Sequence, residues 1–309
     1  MHRTGHIPDS AAVAARRLGL HLHPDYAAIR ATPLPLATTN RSSLPTSKGG
    51  PGIQDQSDVG ACEGFAHSSG ATLFYAIKKT PIPLVSAQGL YYGALKVTRV
   101  PNADGSLPKL YDTGTTPSAI QNAWTVYGAA SSIAWEQNPC STATMYVDPA
   151  DPAQIAAGGP MIEPTPEQMF AEFPVRFGGA FFVQATGLKK VLAILSALAA
   201  GYPVTIAIPA SGPQFQGYTG GVLGALSGPI DHANLIVDYS WTGTQAQFTA
   251  WQTGATGLDQ YLIGYGVNSW GTGWGESDVS GIPGGMYRFN RAFFDQLQSP
   301  SVLSLTRSP

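Results

Sequence analysis

Two kinds of hydrophobic periodicity occupy different halves of this chain, and their segregation limits the folds open to it. In "CEGFAHSSGATLFYAIKK", residues 62–79, Ala66, Gly70, Leu73 and Ile77 recur at helical intervals of four, three and four. Lys78 and Lys79 suit the end of that helix, and Pro81 stops it. Further helices are expected at 86–97 and at 117–127, the second with Pro117 in its first turn. A short one is expected at 166–172, where Thr165 and Gln168 have capping-box spacing. Beyond about residue 175 the pattern changes. "AFFVQA", "YPVTIAI", "HANLIVDY", "YLIGYGV" and "GMYRFN" are short runs bounded by Gly, Pro and Ser, which is how strands read. One helix, "GLKKVLAILSALAAG", interrupts them and closes at Gly201. Helices first and strands afterwards predict an α+β protein of two subdomains, not an alternating parallel sheet.

The 309 residues are 43% apolar, enough to bury a substantial core. Only 12% are charged, about half the usual share of roughly 25%, and the net charge is −2. No run of like charge occurs, so the clustered Lys and Arg of a nucleic-acid binder are not expected. No uninterrupted apolar run reaches the roughly 18 residues of a membrane span; "VLAILSALAAGYPVTIAI" is broken by Gly201 and Pro203. The first twenty residues do not read as a secretory signal, and the compartment stays open. Residues 1 to about 50, rich in Pro, Ser, Thr and Gly, read as an extended arm. Residues 138–164 read as an irregular insert.

The chain has two cysteines, and Cys62 stands where a glycine-bearing loop, "QSDVGAC", enters the first helix. A thiol there feels the positive end of the helix dipole, which favours thiolate. A bridge from Cys62 to Cys140 would consume that thiol, and Cys140 in "NPCST" lacks the helix-start context. A thiol nucleophile needs a base. Of six histidines, four lie in the arm and His67 falls on another face of the helix from Cys62. His232, at the start of "HANLIVDY", is placed to face a cleft. "GVNSWGTGWGES" then sets Asn268 at a strand end with Trp270 and Trp274 in a glycine-rich turn. An Asn bonded to imidazole fixes its tautomer, and an indole laid over that contact shields it from water.

Taken together these stretches resemble the papain-like cysteine peptidases. "QSDVGAC" is similar to the family's run from oxyanion glutamine to nucleophile, "DHANLIVDYSW" to its histidine strand, and "NSWGTGWGE" to its asparagine motif. "LAAGYPVTIAIPASGPQFQGYTGGVLGA", with its "FQGYTGG", resembles the run before the histidine. "LYYGALK" and "DTGTTPSAIQNAWTVYG" resemble bacterial branches of the family. The resemblance spans about residues 45–290. It implies a two-lobed α+β fold, with a helical lobe over about 55–175, a barrel-like antiparallel lobe over about 176–300 and a cleft between them. It also implies a division into an N-terminal arm, 1–44, in the position of a propeptide, and a catalytic domain, 45–309.

By position, the resemblance implies Cys62 as nucleophile, His232 as general base and acid, and Asn268 as the residue that orients His232. It implies an oxyanion hole from the Gln56 amide and the Cys62 N–H, with Trp270 shielding the triad. Gly114 and Thr115 would pair substrate backbone. Ala207, Ile230 and Ala233 would line the pocket for the second residue before the scissile bond, giving an apolar preference there. Peptides or proteins are the expected substrates and the arm is expected to cover the cleft, with no metal or organic cofactor. Two alternatives share the fold: a catalytically silent peptide-binding protein, and a transpeptidase or transamidase using the same acyl-enzyme.

Several residues depart from the family pattern. Glu63 follows the nucleophile where an aromatic residue is usual, Val59 replaces a disulfide cysteine, Asp238 replaces a glycine, and "DTGTT" keeps one glycine of its loop. The interval from Cys62 to His232 exceeds the family's roughly 130–150 residues, an excess the 138–164 insert can absorb. "HLHPD", residues 21–25, offers only half of a metal site, and "SKGGPG" reads as a turn, not a phosphate loop.

Overall fold

A computed structural model describes residues 6–8, 19–48, 50–128, 161, 175–276 and 282–307. The helix expected at 166–172, Cys140 and all of the 138–164 insert except Met161 lie outside those residues. The described helices are α1 (Tyr26–Ala31), α2 (Cys62–Ile77), α3 (Ala87–Val97), α4 (Pro117–Tyr127), α5 (Gly187–Ala199), α6 (Pro213–Gln216), α7 (Gln245–Gln252) and α8 (Arg291–Gln296). The strands are β1 (Val175–Phe182), β2 (Val204–Ile208), β3 (Val222–Leu223), β4 (His232–Trp241), β5 (Leu262–Val267), β6 (Met286–Phe289) and β7 (Gln298–Arg307).

Local chemistry sets the helix starts. Ser86 caps α3 by accepting from the Gly89 N–H, and Thr116 caps α4 by accepting from the Ala119 N–H, with Pro117 in the first turn. The helix α2 differs: its N-cap, Ala61, offers no side-chain acceptor, so the N-terminal end of the dipole is left to whatever anion stands there. Nearly every residue of α2 is buried, because it runs between α3 on one side and β4 on the other. Gly64 permits the first contact, since a Cβ there would stand 2.3 Å from the Ala87 carbonyl.

The strands form one seven-stranded sheet in the order β1-β7-β2-β4-β5-β6-β3, antiparallel except for the short β3/β6 pair. Helix α5 covers it, and its apolar residues Val191, Ile194, Leu195 and Leu198 join Ile206, Ile236, Phe248, Trp251 and Phe289 in the largest core. The papain-like two-lobed α+β architecture is present, with α2–α4 on one side of the cleft and the sheet on the other.

The arm is less irregular than its composition predicts. Residues 26–31 form α1, and Leu20 and Ile29 are buried in the core of the β-rich lobe. Ala37 pairs with Ser240, and the Trp241 N–H donates to the Leu36 carbonyl, so the arm extends the sheet beside β4. The composition of the arm conceals this because each element is too short to show a period, and its partners lie some two hundred residues away.

Candidate active site

Cys62 is the first residue of α2 and fully buried. It packs with Ala66 and Ala233 in one small cluster, which brings the helix N-terminus against the start of β4. Upstream, the loop is held by Asp112. This buried carboxylate accepts from the Gly60 N–H at 3.0 Å and from the Tyr91 hydroxyl, whose oxygen in turn accepts from the Gly114 N–H at 3.0 Å. The loop before the nucleophile and the Gly114 segment on the same side of the cleft therefore share one anchor.

Sheet register brings the next two residues together. His232 pairs with Ile208 at the start of β4, and Asn268 follows directly on β5, which runs antiparallel beside β4. The His232 Nε2–H donates to Asn268 Oδ1 at 2.7 Å, and the same oxygen accepts from the Ser269 N–H at 2.8 Å. An oxygen receiving two donors fixes the amide orientation, and with it the Nε2–H tautomer. Nδ1 is left as the acceptor, on a ring with no exposure. Trp270 lies over the imidazole at a centroid distance of 4.8 Å and 34° tilt. Phe215, from the "FQGYTGG" stretch, packs against Trp270 at 5.5 Å and Trp274 at 4.8 Å. Burial holds the His232 pKa down at about 4, against the raising effects of the Asn268 hydrogen bond and Asp231.

Gln56 is fully buried behind the nucleophile loop. Its Oε1 accepts from the Ser269 hydroxyl at 2.5 Å and its Nε2 donates one hydrogen to the Val59 carbonyl at 2.8 Å. Just before α4, the Thr115 carbonyl accepts from the Ile7 N–H at 2.8 Å, next to Gly114, whose φ of 80° needs glycine. His6 pairs with Thr115, and the His6 N–H donates to the carbonyl of Asp231, the neighbour of His232, at 3.0 Å. Residues 6–7 thus bond both to Asp231, before β4, and to Thr115, before α4.

Of the three residues expected to share one pocket, Ala207 and Ala233 stand directly opposite each other in the β2/β4 register. Ala207 lines a cavity with Glu63, Pro117, Thr205, Ile206, Ser299 and Ser301. Ala233 faces Cys62 and a second cavity that Asn268 borders, and Ile230 is half-buried in the loop before β4. Glu63, which the sequence presents only as a departure beside the nucleophile, borders the same cavity as Ala207.

Glu63 is buried, and its Oε1 accepts from His6 Nδ1 at 2.5 Å, while His67 Nδ1 lies 3.4 Å from Oε2. Burial alone would raise the Glu63 pKa, but hydrogen bonds from His6 and His67 outweigh it and lower the value to about 2. Asp238, the other departure, also receives the arm. Its carboxylate accepts from the Thr38 hydroxyl at 2.7 Å, the Asn40 N–H at 2.7 Å and the Arg41 N–H at 2.9 Å, with the Arg41 guanidinium at 3.1 Å. Both anomalous carboxylates are therefore explained by residues of the arm. No local signal reveals this, because the partners are 57 and about 200 residues distant.

His23, in the "HLHPD" half-site, packs edge-on to Phe181 and Tyr202, and burial lowers its pKa. Among the described residues no three His, Cys, Asp or Glu side chains stand together as a metal cluster, and no helix is long and apolar enough to cross a membrane.

Comparison with known proteins gives a consistent likeness. The model of the papain family cysteine proteases matches residues 181–282, the stretch holding His232 and Asn268. No curated protein matches the chain significantly. Among solved structures it is similar to xylellain, a cysteine protease from Xylella fastidiosa, at 18% identity over 98% of this chain and 97% of that one, with a TM-score of 0.61. The proform of the ragweed pollen cysteine protease Amb a 11 aligns at 18% identity over 96% of this chain and 74% of that one, TM-score 0.60. Digestive procathepsin L 3 of Tenebrio molitor larval midgut aligns at 16% identity over 90% and 71%, TM-score 0.55.

Proposed function

We propose that this papain-like cysteine peptidase cleaves internal peptide bonds through Cys62, His232 and Asn268 and is held inactive by its own N-terminal arm. The observation that carries the reading is the His232–Asn268 hydrogen bond under Trp270, in a structure that also sets Cys62 at a helix start beside Ala233.

In the proposed reaction His232 Nδ1 takes the proton of the Cys62 thiol, and the thiolate attacks the peptide carbonyl carbon. The oxyanion that forms is met by the Cys62 N–H and by the Gln56 amide. The C–N bond breaks as imidazolium returns the proton to the leaving amine. Water, deprotonated by His232, then hydrolyses the thioester. Asn268 Oδ1 holds the Nε2–H throughout, so the nitrogen facing the chemistry is always Nδ1.

Inhibition by the arm is supported by the same contacts that would bind substrate: Ile7 uses the Thr115 carbonyl, and His6 uses the Asp231 carbonyl. Under this cover the desolvated His232 stays neutral, so a thiolate–imidazolium pair is disfavoured. Uncovering restores solvent to the ring and lifts that penalty.

The test is hydrolysis of an unstructured protein substrate by the intact chain and by a chain lacking residues 1–18. Removal should raise turnover, and Cys62→Ala should abolish it. Equal turnover in both chains would remove the inhibitory role, and activity surviving Cys62→Ala would remove the nucleophile.

A further inference from the structure

The arm fills the cleft with a side chain of defined chemistry, and that choice carries information about what the cleft accepts. His6 is 6% exposed, and its ring is directed to a carboxylate. Its neighbour Ile7 uses the backbone acceptor expected to hold substrate. The His6 ring therefore takes a position that a substrate side chain would take.

The surroundings of that position are polar at the bottom. Glu63, which the His6 ring contacts, also borders a small cavity with Pro117, Ala207, Thr205 and Ser301. The Thr205 and Ser301 hydroxyls bond to each other at 2.6 Å, so their hydrogen-bonding capacity is turned in part toward themselves. The cavity among these residues holds only about 10 Å³ while the arm is in place, so a substrate side chain reaches Glu63 by taking the place of the imidazole. From behind, His67 Nδ1 bonds the Glu63 backbone carbonyl at 2.9 Å and lies 3.4 Å from the other carboxylate oxygen, so His6 supplies the shorter of the two contacts to the carboxylate.

A buried carboxylate is tolerated when a donor or cation meets it, and is costly when it does not. When the arm leaves, His6 leaves with it. A leucine or valine entering in its place would exclude water from Glu63 and offer no donor. An arginine or lysine would restore both charge balance and hydrogen bonds.

We infer that Glu63 is a specificity-determining residue, which forms the floor of the subsite for the second residue before the scissile bond and selects a basic side chain there. Assignment to that subsite follows Ala207, which borders the same cavity, and the inference rests on the peptidase reading above. Such selection is the opposite of the apolar preference expected from Ala207, Ile230 and Ala233, and the two are separated by the test below.

Two measurements on the full chain test it. In the first, His6 serves as a tethered probe: Cys62 alkylation by iodoacetamide is compared in His6→Arg and His6→Leu variants, each with Glu63 and with Glu63→Gln. Arginine should keep the arm closed, and leucine should let Cys62 label about tenfold faster or more. With Glu63→Gln that difference should collapse. In the second, the His6→Ala chain is given paired fluorogenic peptides with Arg or Leu at the second position before the bond. The kcat/KM ratio should favour Arg by about tenfold or more and fall toward one in Glu63→Gln. Leucine protecting as well as arginine, or a Leu-preferring ratio, overturns the assignment of Glu63. If arginine protects Cys62 but neither peptide is cut, the peptidase reading fails, and substrate selection by Glu63 fails with it.

Discussion

His6→Ala should open the arm without touching the proposed catalytic residues. The side chain contributes one hydrogen bond, from Nδ1 to Glu63 Oε1 at 2.5 Å, between groups that are 6% and 2% exposed. The backbone contacts of the arm, from His6 to Asp231 and from Ile7 to Thr115, survive the substitution. A hydrogen bond to a buried charged group contributes about 1.5–3 kcal/mol, and leaving the carboxylate unmet costs a comparable amount. At about 1.4 kcal/mol per factor of ten, the open population of the arm should rise by roughly 10- to 150-fold. The assay is the rate of Cys62 alkylation by iodoacetamide, located by mass spectrometry, under conditions where labelling waits on transient opening. Because His6 and Glu63 act through one bond, Glu63→Gln should add little on the His6→Ala background. A His6→Ala rate within about twofold of the parent, or fully additive effects of the two changes, would refute the reasoning.

The remaining expectations concern stability, pH and the triad. Asp238→Ala removes the acceptor for Thr38, Asn40 and Arg41, and should cost about 2–4 kcal/mol in a denaturant titration. Deleting residues 1–43 strips Leu20 and Ile29 from the core and should lower the melting temperature sharply, whereas deleting 1–18 should not; calorimetry separates the two. His232 binds its proton less readily folded, at about 4, than unfolded, near 6.5. Its contribution is therefore present above about pH 6.5 and is lost as pH falls through 4, a change of about 3 kcal/mol that His232→Gln should remove from the pH–stability curve. Asn268→Ala should lower kcat about a hundredfold while leaving Cys62 labelling by small reagents largely dependent on the arm.

Much of this architecture is legible in the sequence. The helix at 62 ends at Ile77, within two residues of its expected end, because its period and the following lysines are local signals. The strands carrying His232 and leading to Asn268 are short apolar runs with clear turn boundaries. Strand β7 escapes because "QSPSVLSLTR" mixes polar residues with a proline and resembles a tail; it becomes a strand by pairing with β1 and β2. Helix α7 could have been found, since Thr244 and Gln247 form a complete capping box ahead of Phe248 and Trp251. The roles of Glu63, Asp238 and Phe215 could not, because each is defined by partners distant in the chain. The same is true of Ala207, whose small apolar side chain gives no hint of the carboxylate beside it.

The central claim is that peptide cleavage passes through a thioester on Cys62. It is tested most directly by mixing the arm-opened chain with an activated peptide ester, quenching in acid within seconds, and mapping the added mass. The acyl group is expected on the peptide containing Cys62, with its loss on further incubation in water and its absence in Cys62→Ala. Turnover with no acyl group on Cys62, or acylation of Cys140 instead, would contradict it.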